Sequence, residues 1–354
     1  LLGYYQRQRH ATSFSVRGLY SNNRSGNGFN NYGVNLEFAH SQQINRKTTV
    51  FLSVTGAKTN FTGQILYRFS EEPVAQTINP GFEIFDNHLT TASMAAGATY
   101  AMSRRWTFSV QGAAFGADRR ERGLADTRGV NSGGSIQYNI SRQTSAGISG
   151  SYSWFYFPGQ FGETKSESGL VFINHTFARN WTVALNGGVF SAFTERVRSV
   201  PLDPFIAELT GQTSAFQIFR RTNLGWLGGA SLTRRFRYSS FSANYNRSLQ
   251  AGNGVYLASV ADLVGVSYVY SPRQAWALSL NASHSKLRAI SQEIGPGGYS
   301  TAGGSLSRRI NTYINVVGSA GFFNTNVFNG RFARNRAYVS AGIQFAPRDL
   351  PILR

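Results

Sequence analysis

The residues here with chemistry to offer are a few histidines, many serines and a large excess of arginine. His10, His40, His88, His175 and His284 are scattered. No two have metal-ligand spacing, and neither His-Glu-x-x-His nor Gly-x-Ser-x-Gly occurs. The stretch Asn281-Ala-Ser283-His284-Ser285 sets hydroxyls beside an imidazole. On an extended strand, adjacent side chains leave on opposite faces, so Ser283 and Ser285 cannot pair with His284 as nucleophile and base. Gly295-Pro296-Gly297-Gly298 precedes a strand-like run rather than a helix, so it reads as an external loop and not a phosphate cradle. The absence of cysteine excludes disulfides, thiolate zinc sites, iron–sulfur clusters and covalent haem on this chain. No catalytic residue, cofactor site or metal site is expected, and the chain does not read as an enzyme.

Arginine supplies nearly all of the net charge of +19; the lysines are Lys47, Lys58, Lys165 and Lys286. Such a chain can meet nucleic acid, anionic lipid or an anionic solute, and placement decides which. Arg46, Arg104, Arg142, Arg179, Arg235, Arg273 and Arg308 sit in short turns, where they would anchor on lipid headgroups. Arg119, Arg120, Arg122, Arg196, Arg198, Arg220 and Arg221 sit in or beside longer connections and form a candidate basic mouth, facing lipopolysaccharide phosphates or an anionic solute. No nucleic-acid-binding module is present, and the charge is interrupted by apolar stretches, so nucleic acid is not an expected partner.

The elements that must position these residues are strands. Charged residues make up 14% of the chain, well below the quarter usual in soluble domains. Glycine (38), Phe (27) and Tyr (17) are abundant, and apolar residues alternate with small polar ones. Val130, Ile136, Tyr138 and Ile140 share one face, and Asn131, Ser135, Gln137 and Asn139 the other. Trp276, Leu278, Leu280 and Ala282 likewise oppose Ser279, Asn281 and Ser283. No apolar run is long enough for a membrane helix. Lipid outside and water inside is the division that a membrane-spanning barrel requires.

Sixteen strands are readable: 11–22, 31–43, 47–60, 88–102, 105–117, 127–141, 144–157, 166–178, 180–192, 220–235, 237–249, 255–270, 274–286, 298–309, 312–324 and 333–346. Turns such as Ser103-Arg104 and Ser141-Arg142-Gln143 alternate with long connections, notably Phe61 to Asn87 and Phe193 to Phe219. Gln64–Phe69 could extend a strand beyond the membrane. Aromatics fall near both strand ends, as interfacial girdles do. The expected fold is therefore all-β, a closed antiparallel transmembrane barrel of about sixteen strands, with short periplasmic turns and long extracellular loops. The barrel takes residues 1–346, and 347–354 form a periplasmic tail in which Pro347 and Pro351 oppose further strand.

The run Tyr338 to Phe345 resembles the C-terminal signal that the outer-membrane barrel assembly machinery reads, with Ala341, Ile343 and Phe345 matching its alternating apolar positions and terminal aromatic. The whole chain resembles porin-like barrels, and more narrowly exopolysaccharide-secretion channels. That resemblance implies a bacterial outer-membrane location and passive transport. Its expected partners are outer-membrane lipid and lipopolysaccharide, the assembly machinery, and an anionic solute or polysaccharide. Candidate lumen residues are Arg17, Glu37, Gln111, Gln137, Asn139, Asn244 and Asn281. Two other readings stand beside the channel. One is a structural or adhesive barrel plugged by its two longest loops. The other is a sleeve around a partner protein, such as a cytochrome conduit whose haems belong to the partner.

Overall fold

The computed structural model describes residues 2–7, 9–22, 30–60, 88–120, 124–159, 162–178, 180–251, 255–273, 275–290, 294–310, 314–327 and 332–345. The expected long loop Phe61–Asn87, the strand extension Gln64–Phe69 and the tail 347–354 lie outside these residues.

Among the described residues, seventeen strands follow one another. The first nine are β1 (Leu2–Arg7), β2 (His10–Asn22), β3 (Asn30–Gln43), β4 (Thr48–Thr59), β5 (Leu89–Ala101), β6 (Trp106–Arg119), β7 (Thr127–Asn139), β8 (Thr144–Phe157) and β9 (Gly162–Phe177). The rest are β10 (Trp181–Pro201), β11 (Ser214–Arg235), β12 (Ser239–Gln250), β13 (Ser259–Arg273), β14 (Trp276–Ala289), β15 (Gly297–Arg309), β16 (Ile314–Val327) and β17 (Phe332–Phe345). Among the same residues one helix, α1 (Pro204–Thr210), interrupts them. No helix among the described residues is long and apolar enough to cross a membrane.

The sixteen strands read from sequence are β2 to β17, and β1 is an addition. Each strand pairs antiparallel with its chain neighbours, from Leu2↔Ser15 to Ile314↔Phe345. No register joins β17 to β1 among the described residues, so the pairings define a continuous meander without displaying ring closure.

One face is continuous through the registers. Ser15, Glu37, Thr55, Ser93 and Phe115 stand opposite one another in turn across five strands. Hydroxyl pairs cross the strands on this face: Thr55 with Ser93 at 2.6 Å, and Ser109 with Ser135, Ser242 with Ser267 and Ser279 with Ser305 at 2.7 Å each. The other face carries exposed Leu36, Val54, Val110, Val171 and Leu280, with Val189 67% accessible. A water-soluble protein rarely leaves so wide an apolar band uncovered, whereas lipid would cover it.

The sheet curls with its hydroxyl face inward. A flat sheet would hold β6 and β15 roughly 40 Å apart at their usual strand spacing. Yet the segment between β12 and β13 reaches both sides. Ala251, Leu257 and Ala258 join Phe115 of β6 with Phe155 and Phe157 of β8, while Tyr256 joins Leu287 of β14 and Tyr299 of β15.

Two expectations change. The connection Phe193–Phe219 is no loop: β10 and β11 run on as a paired ladder to Pro201↔Ser214, and α1 follows at the tip. The strand expected from residue 255 begins only at Ser259, because Val255–Ala258 leave the wall and turn inward.

Candidate functional site

The concave face and what closes it form the site. Towards the long-connection end, Tyr256, Leu257 and Ala258 are buried. Tyr256 donates its phenolic hydrogen to the Gly295 carbonyl at 2.7 Å, and Ile290 N donates to the Ala258 carbonyl at 3.0 Å. Val260, beside them, joins Phe190, Ala192 and Leu227 in a third apolar cluster. Burying Tyr256 and Leu257 is worth roughly 1.5–3 kcal/mol each against leaving them in water. Burial also pushes the Tyr256 phenol above its ordinary range, because the phenolate would lose its hydration. This apolar seal occupies the outer part of the concave space.

Below it the wall is polar. Gln111, Gln137, Asn139, Asn244 and Asn281 share the concave face by register. Gln137 Nε2 donates to Asn139 Oδ1 at 3.0 Å. Glu37 is exposed on the same face and accepts from Ser15 Oγ at 3.3 Å. Arg17 stands opposite Asn35 in the β2–β3 register, one rung from Glu37, and its side chain lies outside the described residues.

Four phenylalanines lie against this wall over glycines of the next strand: Phe51 over Gly97, Phe115 over Gly129, Phe172 over Gly147 and Phe190 over Gly225. A Cβ added at Gly97 would lie 2.5 Å from the Phe51 ring. Glycine therefore lets each ring lie flat instead of standing into the lumen. Phe and Gly opposite each other across a hairpin are the signal for this in the sequence.

The basic mouth divides by face. Arg196 and Arg221 are concave, paired by register with Gly162 and Thr194. Arg220, one residue on, faces outward and its Nε donates to Glu195 at 3.0 Å. Arg119 is concave and buried, donating to the Ala125 carbonyl at 2.7 Å and to Thr127 Oγ1 at 3.2 Å, so it braces the connection after β6. Arg120 is exposed beyond β6. Arg122 and the Arg198 side chain lie outside the described residues.

Two further arginines stand on the concave face, Arg334 and Arg336, opposite Thr325 and Phe323, and sequence reading passed over Arg336. The acids go the other way: Asp118, Glu163, Glu167, Glu195 and Asp262 occupy outward positions. Glu37 is the concave acid among the described strand residues. The outward acids pair in place, as Arg247 with Asp262 at 2.9 Å and Lys165 with Glu163 at 2.7 Å. The Lys165 ammonium, then the Trp154 indole, hold the Glu163 carboxyl below its ordinary value.

At the short-turn end, Arg104, Arg105 and Arg142 line a cavity of about 520 Å³ together with Asn139, Ser145 and Asn174. Arginines stack there on rings, Arg234 over Trp181 at 4.6 Å and Arg308 over Trp276 at 4.8 Å. Rings and guanidinium groups at one level suit a membrane interface.

Imidazoles pair with hydroxyls across strands on the outward face: His40 with Thr12 at 2.8 Å, His175 with Thr144 at 2.7 Å and His284 with Ser300 at 2.8 Å. The other neighbour of His284 is Val264, so β13 supplies no group to orient the ring as a hydrolase requires. No metal-holding cluster occurs among the described residues. Ala341 and Ile343 are exposed on the outward face of β17; Phe345 pairs with Ile314, and its side chain lies outside the described residues.

No protein-family model matches the sequence, and no curated protein matches it. Solved structures do. The ferric-catecholate import receptor Fiu from E. coli K12, in its open form, superposes with a TM-score of 0.50 at 9% identity, covering 97% of this chain and 71% of that one. The FrpB iron transporter from Neisseria meningitidis gives 0.48 at 9%, covering 92% and 60%. The copper transporter OprC gives 0.48 at 8%, covering 92% and 59%. This chain thus spans between about three fifths and seven tenths of the proteins it superposes on. These three are metal-import receptors or transporters, not porins or polysaccharide channels. The superposition on the open Fiu receptor, together with the lipid-facing band, shows the fold to be that of a multi-strand outer-membrane β-barrel.

Proposed function

We propose that this chain is an outer-membrane transport barrel for an anionic hydrophilic solute, closed at rest by Ala251 and Val255–Ala258. The observation that carries the proposal is the sorting of charge: Arg196, Arg221, Arg334 and Arg336 occupy the concave face, while the acids at the same end point outward. Guanidinium groups over a lumen of hydroxyls and amides attract anions without binding them so tightly that they cannot leave. Arg104, Arg105 and Arg142 extend the same preference to the other mouth. The wall closes into a ring in this reading, since an open edge between β17 and β1 would leave backbone groups unsatisfied in lipid.

A small anion and a segment of anionic polysaccharide share this chemistry. Liposomes carrying the barrel with Tyr256 and Leu257 replaced by Gly separate them. Uptake of a small sulfonated dye in preference to its cationic counterpart supports the solute reading. Release only of an anionic oligosaccharide supports the polymer. Equal passage of cation and anion contradicts the charge argument.

The seal itself supports a second reading, a plugged structural or adhesive barrel. The residues that would do the plugging are then Val255–Ala258 rather than the two longest connections. Replacing the seal would, on that reading, leave the liposomes tight. A sleeve around a partner protein requires the seal to be displaced permanently.

A further inference from the structure

Beyond the transport reading, we propose that the bare edge of β11 from Ser214 to Leu227 is a docking site for an extended polypeptide segment with alternating apolar and acidic side chains. β11 pairs with β10 over its whole length, from Pro201↔Ser214 to Trp181↔Arg234. On its other side it pairs with β12 only from Gly228↔Arg247 to Arg235↔Ser240. Above Gly228, none of the described backbone hydrogen bonds reaches that edge. Arg247 Nε donates to the Trp226 carbonyl at 3.2 Å, a side chain standing where the next rung would be. The bare stretch is roughly 45 Å long at the usual rise per residue, and it projects past the membrane-spanning rungs.

Among the described residues, β12 ends at Gln250 and Val255–Ala258 fold inward into the seal, so no described strand pairs with Ser214–Leu227 on this side.

Natural proteins blunt free strand edges with charge, proline or a bulge, because an edge is a template for another strand. Here the exposed row beside the edge is apolar instead: Phe216 is 85% accessible, Leu224 83% and Ile218 59%. Arg220, exposed although paired with Glu195 at 3.0 Å, and Arg221 interrupt the two rows, and two cations against one acid set the sign of the partner. Backbone hydrogen bonds would give affinity, and alternate side chains specificity.

A second copy does not fit. Two copies in one membrane point β11 the same way. A two-fold axis then sets the outward-directed amide groups of one strand level with those of the other, whereas a parallel ladder needs them staggered by one residue.

The test uses the whole chain in nanodiscs and a fluorescent synthetic peptide of alternating Val and Glu. Its expected results are saturable binding, slowed amide exchange within Ser214–Leu227, and about tenfold weaker binding to Arg220→Asp. The same peptide N-methylated at every other residue should not bind. The proposal is overturned by equal binding of the N-methylated peptide, by exchange that the peptide leaves unchanged, or by a Gln217→Cys variant that cross-links to itself as a discrete dimer.

Discussion

Tyr256, between β12 and β13, donates its phenolic hydrogen to the carbonyl of Gly295, between β14 and β15, at 2.7 Å. The bond ties two connections together over the concave face. The ring itself is fully buried.

Tyr256→Phe keeps the packing but strands the carbonyl, a cost of about 1–3 kcal/mol to the closed state. It should raise the fraction of time open by about fivefold or more. The pH dependence has a definite sign. The closed state raises the Tyr256 phenol, so closure is fully stabilised below the free phenol value near 10 and is lost as pH rises above it. Alkaline opening should therefore occur in the native chain and be absent from Tyr256→Phe. A Leu257→Cys reporter, the only thiol in such a chain, would read it by reaction with a water-soluble maleimide.

Gly129 under Phe115 makes a different prediction. A Cβ there would lie 2.5 Å from the Phe115 ring and 2.6 Å from the Trp154 carbonyl. Gly129→Ala should destabilise the barrel by about 1–3 kcal/mol, as overpacking does. Gly187→Ala, with nothing within 4 Å of the added carbon, is the control and should be nearly neutral. Urea unfolding followed by the gel shift of folded barrels measures both.

Charge sorting predicts selectivity. In a seal-relaxed background, Arg196→Gln with Arg221→Gln should move the reversal potential in a salt gradient toward zero. Arg220→Gln, which alters an outward residue paired with Glu195, should leave it in place.

Much of this was legible in the residue pattern. The alternation of Val130 to Asn139 or Trp276 to Ser283 is imposed by lipid on one side and water on the other, so those strands and their faces can be read directly. Beyond the membrane that constraint ends. Phe193–Phe219 loses clean alternation and carries Pro201 and Pro204, which hid a paired ladder. Val255-Tyr-Leu-Ala258 looks like the start of a strand, because an apolar run has the same composition whether it faces lipid or folds into the lumen. Placement of the arginines needed register: Arg220 and Arg221 are neighbours in sequence and face opposite ways. Arg336 passed unnoticed in a segment read for its assembly signal.

Single-channel current in planar bilayers decides whether a polar anion path lies beneath the seal formed by Ala251 and Val255–Ala258. The native chain is expected to be mostly silent at neutral pH, and a variant with Tyr256 and Leu257 replaced by Gly to give steady, anion-selective current. A correctly folded variant that stays silent would contradict that expectation, as would a native chain already conducting at the variant's level.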